Sequence, residues 1–297
     1  MKRKTVVILV VVVSCVIFFG FMVMVMMASL GLQLETGFSG FGPKVAVIEL
    51  YGPIYDASDF VRQVKKYTDD NSVKALVIDI NSPGGGVAAS QEMHARLIKA
   101  REAGKVVVAS MGSVAASGGY YVACAADRVV ANPGTVTGSI GVILSFPTGE
   151  KLLDKIGLGW ETVKSGDLKD VGAFERSMTP EEERMLQAVI DDTYEQFVEA
   201  VAEGRNKAKD DIYPLADGSI FTGRQAYNLG LIDTLGTLDE AIAMAGEMCG
   251  LGSDPDRIKE RKRQPSILDL LSETLELLNS KVSSLESNQS GLMYLYR

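Results

Sequence analysis

The chain has 297 residues, 46% hydrophobic and 23% charged: long and apolar enough to bury a sizeable core, and too apolar for a disordered protein. Thirty basic side chains stand against 38 acidic ones, and Lys2, Arg3 and Lys4 lie at the N-terminus; residues 5–297 therefore carry a net charge of −11, which argues against a nucleic-acid partner. Three cysteines without a CxxC pair, a lone histidine (His94), and no EF-hand or GK[ST] string leave no disulfide framework and no recognisable metal cluster, and no cofactor is expected.

In chain order, the first feature is Val6–Leu30, almost wholly apolar and preceded by the three basic residues. As a helix it would extend about 37 Å, enough to cross a hydrocarbon core of ~30 Å. The basic tip predicts a cytoplasmic N-terminus, with the rest of the chain on the far side of the cell membrane. After a glycine-rich linker, Gly37–Pro43, strands are predicted at Val45–Leu50, Ala75–Ile80, Val106–Met111 and Arg128–Ala131. Helices are predicted at Ser58–Tyr67, Ala88–Arg101 and Ser117–Ala126, and the alternation implies βαβ units with a sheet covered on both faces. Thr179-Pro180-Glu181-Glu182-Glu183 predicts a capped helix start running to about Gly204, and shorter helices follow near Gly223–Leu229 and Asp239–Met248. Asp256–Arg263 reads as a charged linker. Leu268, Leu271, Leu275, Leu278, Val282 and Leu285 then space an amphipathic helix, a seam too short to establish a coiled coil by itself. The apolar segment Leu292–Arg297 has two readings: a loose or partner-packed end, which is the plain one, or a peptide that enters its own or a neighbour's groove.

Two glycine-rich strand-to-helix junctions carry the chemistry. Asn81-Ser82-Pro83-Gly84-Gly85-Gly86 follows an apolar strand, and its free N–H groups suit a phosphate or an oxyanion, although a tight turn explains the string equally well. Ser113-Val114-Ala115-Ala116-Ser117-Gly118-Gly119 places Ser117 at a second junction, where a serine is ordinarily a helix cap. Paired strands would let one loop present a hydroxyl and the other N–H donors. A nucleophilic serine needs a base. His94, one turn before Leu97 and Ile98, fits a packed structural role about as well as any other, which makes a lysine the sharper option. A lysine must be desolvated to be neutral near pH 7, and the pattern of charges does not choose between Lys164 and Lys169.

With the SPGG loop, Ala116-Ser117-Gly118-Gly119-Tyr120-Tyr121, Thr137-Gly138-Ser139-Ile140-Gly141 and Lys169-Asp170 in this order behind one apolar span, the chain resembles the signal peptide peptidase A family, membrane-anchored serine proteases of the Clp/crotonase fold. The resemblance covers most of residues 44–253 and implies an α/β domain of repeated ββα-type units. It divides the chain into 1–34 (tip and transmembrane anchor), 35–43 (linker), 44–253 (protease) and 254–297 (charged linker, amphipathic helix and apolar tail). It implies Ser117 as nucleophile, Lys169 as general base and Ser139 as the residue orienting the amine. The oxyanion donors it implies are the N–H groups of Gly84 and Gly118, with Gly85 as the alternative on the first loop. It further implies a homo-oligomeric ring whose sites are shared between protomers, and remnant signal peptides and other extended apolar peptides as substrates. A crotonase-type acyl-CoA enzyme and a non-enzymatic membrane scaffold are the alternatives that remain.

Overall fold

The computed structural model describes residues 42–260, the backbone of Met293–Leu295 and, nearer the N-terminus, Phe18, Phe19 and Met22. The chain divides into two compact units, Met1–Gly40 and Phe41–Arg297. In the first, the three described residues are helical and exposed. No helix among the described residues is long and apolar enough to cross a membrane, and the rest of the expected span Val6–Leu30 lies outside them, as does the Leu268–Leu285 seam.

The second unit opens with β1 (Lys44–Tyr51), α1 (Ser58–Asp69), β2 (Val73–Ser82), β3 (Gly84–Gly86), α2 (Val87–Glu102), β4 (Val106–Ala116), α3 (Gly118–Ala123), β5 (Arg128–Ala131) and β6 (Val136–Gly138). It continues with α4 (Glu150–Ile156), α5 (Pro180–Arg205), α6 (Lys209–Ile212), β7 (Ile220–Thr222), α7 (Gly223–Asn228), β8 (Thr234–Leu235), α8 (Leu238–Met248), β9 (Arg257–Lys259) and β10 (Met293–Leu295). Eight strands form one sheet in the order β7-β6-β4-β2-β1-β9, with β5 and β8 branching from β4. Every pairing in it is parallel except β6 with β7.

Alternation along the strands sends side chains to two apolar layers. Ala46, Ile48, Leu76, Ile78, Val107 and Ala109 face a core shared with α1, α2, α3 and α5. Val45, Val47, Ala75, Val77 and Val108 pack against Ala241, Ile242 and Ala245 of α8 on the other face. The α/β architecture and two-sided burial expected from the apolar strands are therefore observed. The expected capped helix start is also present: Thr179 Oγ1 accepts from the Glu182 N–H, and Glu182 reaches back to the Thr179 N–H.

One correction concerns Asp256–Arg263. Its first part is not linker: Arg257–Lys259 adds a parallel edge strand to β1. Charged residues on either side of half-buried Ile258 hide the strand pattern, as is common where an edge must stay soluble.

Candidate active site

The site is built where β4 hands over to α3. β4 runs five residues past the predicted strand end, and along its far end Val114, Ala115 and Ala116 pair with Val136, Thr137 and Gly138 of β6. The next residue on each strand is a serine. Ser117 has φ 53° and ψ −121°, and Ser139 has φ 51°; the third described non-glycine residue with positive φ, Asn206, caps the end of α5. Asn206 has a plain structural reason for its conformation, whereas the two serines do not. Strain of this kind persists where the surroundings over-determine the backbone, and here they do. The Ser117 N–H donates to the Gly138 carbonyl at 2.8 Å, the Ser117 carbonyl accepts from the Tyr121 N–H at 2.8 Å, and the Ser139 N–H donates to the Ser219 carbonyl at 2.7 Å.

Ser117 does not act as a helix cap. Its side chain accepts no N–H from α3, and it is 1% exposed, with no hydrogen-bond partner for its Oγ among the described residues. A buried hydroxyl left without a partner costs about 1–3 kcal/mol, so the fold keeps this one at the expense of stability.

The first glycine loop lies directly against the two glycines that follow Ser117. A Cβ on Gly118 would sit 2.5 Å from Ser90 Oγ and 3.2 Å from the Gly85 nitrogen, and one on Gly119 would sit 2.9 Å from the Ser82 carbonyl oxygen. Glycine at both positions is what lets the start of α3 approach the loop. Within the loop the Gly84 N–H donates to Ser82 Oγ at 3.1 Å. The Gly84 carbonyl accepts from Ile54, and the Gly86 N–H donates to the Ile54 carbonyl at 2.7 Å. Because N–H and C=O directions alternate along an extended strand, the Gly85 N–H and carbonyl face away from Ile54. Ser82 and Ser90 were not singled out as site residues by sequence, yet both are fully buried and shape the loop, Ser90 Oγ by donating to the Gly86 carbonyl at 2.9 Å. The signal for Ser82 was its place inside the SPGG string; Ser90 offered none.

His94 makes no hydrogen bond to Ser117 Oγ. Burial, with a smaller contribution from the Arg101 charge, holds its imidazole down to about 4, and the ring packs on Tyr121 with centroids 5.0 Å apart. Its role is packing.

The lysines sit on a long, largely exposed arm, residues 141–179, which carries α4. Lys164 Nζ donates to Asp170 at 2.7 Å and to the Asp167 carbonyl at 2.8 Å. Asp170 also binds Arg176, at 2.7 Å, and Arg176 in turn grips Glu182 at the start of α5. Hydrogen bonds from Arg176 and then Lys164 hold the Asp170 carboxyl far below the usual range, and Arg176 pulls Glu182 to about 2. Lys169 is exposed, and its amine makes no hydrogen bond or ion pair among the described residues. Since Ser117 Oγ has no partner, neither lysine amine meets it within a single chain. Beside Ser139 lies a groove of about 570 Å³, lined by Gly141, Val142, Ile143, Tyr194 and Asp217 among others but not by Lys169. The single chain thus brings together Ser117, Ser139 and the Gly84–Gly86 and Gly118 backbone, and leaves Lys169 apart.

Comparison with known proteins gives a match of residues 99–251 to the family model described as peptidase family S49. A Synechocystis protein provisionally named as a protease is 46% identical over 73% of this chain and 77% of its own length. An Enterococcus faecium protein provisionally named signal peptide peptidase SppA is 37% identical over 63% of this chain; the match spans 55% of that protein. Among solved structures, a point variant of ClpP1 from Listeria monocytogenes superposes with a TM-score of 0.45 at 18% identity, covering 64% of this chain and 91% of the other.

Proposed function

Since the chain belongs to peptidase family S49 and is a serine protease, we propose that it is a membrane-anchored endopeptidase of extended apolar peptides, remnant signal peptides among them, working through a serine–lysine dyad completed between protomers of a ring. The observation that carries this reading is Ser117: strained, buried, without a hydrogen-bond partner for its Oγ among the described residues, and followed by Gly118, which packs closely on the Gly84–Gly85 backbone. That is the arrangement a nucleophile needs if its base and its substrate both arrive from outside the chain.

In the proposed reaction Ser117 Oγ attacks the peptide carbonyl while neutral Lys169 of a neighbouring protomer takes the hydroxyl proton. Ser139, one register step beyond the Ala116–Gly138 pair, directs that amine by a hydrogen bond. The oxyanion is held by the N–H groups of Gly118 and Gly85. Of the two donors on the first loop, Gly85 is favoured, because the Gly84 N–H is already given to Ser82 Oγ. Collapse of the tetrahedral intermediate returns the proton from the amine to the leaving nitrogen, and the same amine then activates water to release the acyl group. Lys169 is favoured over Lys164 because Lys164 Nζ is committed to Asp170 and the Asp167 carbonyl, whereas the Lys169 amine makes no hydrogen bond or ion pair among the described residues. Docking against a neighbour would supply the desolvation that Lys169 needs. The arm offers surface for it: Leu158, Trp160 and Val163 are 52%, 63% and 102% exposed.

The test is digestion of a synthetic signal peptide by the full chain, with product masses read out. Ser117→Ala and Lys169→Ala should each abolish cleavage without changing the assembly, and Lys164→Ala should retain it. Full activity in Lys169→Ala would remove the dyad.

A further inference from the structure

β4 carries more residues than its neighbour β2 can pair. Ile80 stands opposite Met111 and Ser82 opposite Ala115, so Asn81 alone faces Gly112, Ser113 and Val114. At the same point β4 changes partner on its other edge: Val108–Met111 pair with β5, and Val114–Ala116 with β6. A bulge of this kind leaves backbone groups outside the ladder and redirects the strand. Two side chains take up those groups. Asn81 Oδ1 accepts from the Val114 N–H at 3.2 Å, and Thr135 Oγ1 donates to the Gly112 carbonyl at 2.7 Å. Thr135 is itself buried and fixed at both ends of its backbone: its N–H donates to the Asn132 carbonyl at 3.0 Å, and its carbonyl accepts from the Gly223 N–H at 2.8 Å.

We infer that Asn81 and Thr135 are positioning residues for the serine: by holding this bulge, they set where β4 delivers Ser117 relative to the first glycine loop. The inference rests on the proposed reading of Ser117 as nucleophile and of that loop as the oxyanion side. In the register that precedes the bulge, Ser82 would face Ser113, and Ser117 would lie two residues, about 7 Å, beyond its present place. In the register that follows it, Gly118 comes level with Gly85. The close contacts agree, since a Cβ on Gly118 would lie 3.2 Å from the Gly85 nitrogen and 3.3 Å from Gly84 Cα. Attack on a carbonyl held by the loop tolerates little error here, because a displacement of ~1 Å can cost on the order of a hundredfold in rate. Both side chains act at a distance along the strand, Asn81 through Val114 and Thr135 through Gly112. Losing either bond frees a group of the bulge to pair in another register.

The experiment uses the full chain and four variants. Thr135→Val keeps the shape and removes the hydroxyl, and Asn81→Ala removes the acceptor, whereas Thr135→Ser and Asn81→Asp retain the donor and the acceptor. Each is assayed for cleavage of a synthetic signal peptide and for labelling of Ser117 by a fluorophosphonate, followed to its end-point. Thr135→Val and Asn81→Ala should lower kcat and the labelling rate constant at least about tenfold, with KM and the labelling end-point unchanged. Thr135→Ser and Asn81→Asp should return both rates to within a few-fold of wild type. A role in folding alone gives the opposite split, fewer molecules that label, each at the wild-type rate, and that result would overturn the inference. So would a loss that Thr135→Ser and Asn81→Asp do not restore. Wild-type kinetics in both Thr135→Val and Asn81→Ala would overturn it while leaving the peptidase reading intact. If Thr135→Val does not fold, Asn81→Ala, on the exposed side of the bulge, decides by the same criteria. A wild type that neither cleaves nor labels would overturn the peptidase reading, and this inference with it.

Discussion

At Ser117 two costs coincide: a backbone conformation that glycine adopts freely, worth about 1–3 kcal/mol to any other residue, and a buried hydroxyl without a partner. Ser117→Ala removes the second cost and Ser117→Gly removes both, less the larger unfolded-state entropy of glycine. Thermal unfolding should therefore rank wild type lowest, Ser117→Ala higher and Ser117→Gly highest, by a few degrees in all, while neither variant cleaves peptide. A wild type more stable than both would mean that Ser117 is held by an interaction that the geometry does not contain. A second prediction belongs to the same few ångströms. Gly118→Ala would drive its methyl against Ser90 Oγ at 2.5 Å and should slow cleavage by at least about tenfold. Ser90→Ala removes that atom, so the double variant should recover part of the loss, the remaining contacts at 3.2 and 3.3 Å being tight but not prohibitive. A double variant as slow as Gly118→Ala alone would show that the loop, and not Ser90, sets the approach.

Among the elements, the arm carrying Lys169 and the α/β core should respond to acid in different pH windows. The His94 pKa is lowered in the folded state to about 4 by burial, so the unfolded chain takes the proton first as pH falls below ~6.5. Global stability should decline from there to about pH 4, by up to about 3 kcal/mol, and His94→Phe should flatten that slope in urea titrations at stepped pH. Asp170 and Glu182 are depressed as well, but from ~4, so their ion pairs with Arg176 persist above that value and are lost as pH falls below it. Limited proteolysis below about pH 2, where these carboxyls finally take protons, should cut the arm, and Arg176→Ala should reproduce that cutting at neutral pH with the core intact. This division also explains what could be read from the sequence. β1, β2, α1 and α2 were legible because their periodicity is set by local burial, and the start of α5 because Thr179 and Glu182 form a self-contained cap. β9 was not legible as a strand, since Arg257–Lys259 becomes one only through a partner remote in sequence; the apolar, extended character of Leu292–Arg297 was legible, but not that Met293–Leu295 pairs with Gly84–Gly86. The candidate site divided the same way: Ser117 and its glycines were legible at two junctions, whereas the proposed preference for Gly85 over Gly84 depends on where one N–H points.

For the whole molecule, the question is where Lys169 goes. Among the described residues its amine is exposed and unpaired, on an arm with Trp160 and Val163 bare, and in the proposed ring a neighbour that covers the arm would bury both the apolar side chains and the amine. Val163→Asp should therefore weaken assembly and cleavage in parallel, with thermal unfolding of the core unchanged. The sharper prediction uses two inactive chains. If serine and lysine of one site come from different protomers, a ring assembled from equal amounts of Ser117→Ala and Lys169→Ala chains contains sites of four kinds, one of which unites an intact serine with an intact lysine. Random mixing makes that kind about a quarter of all sites. Co-expression of the two variants under separate tags, with tandem purification of mixed rings, should thus recover roughly a quarter of wild-type kcat at unchanged KM. Rings of either variant alone should be inactive. Mixed rings with no activity would place both groups in one chain, and the arm would then have to fold back onto Ser117 in a conformation different from the one described.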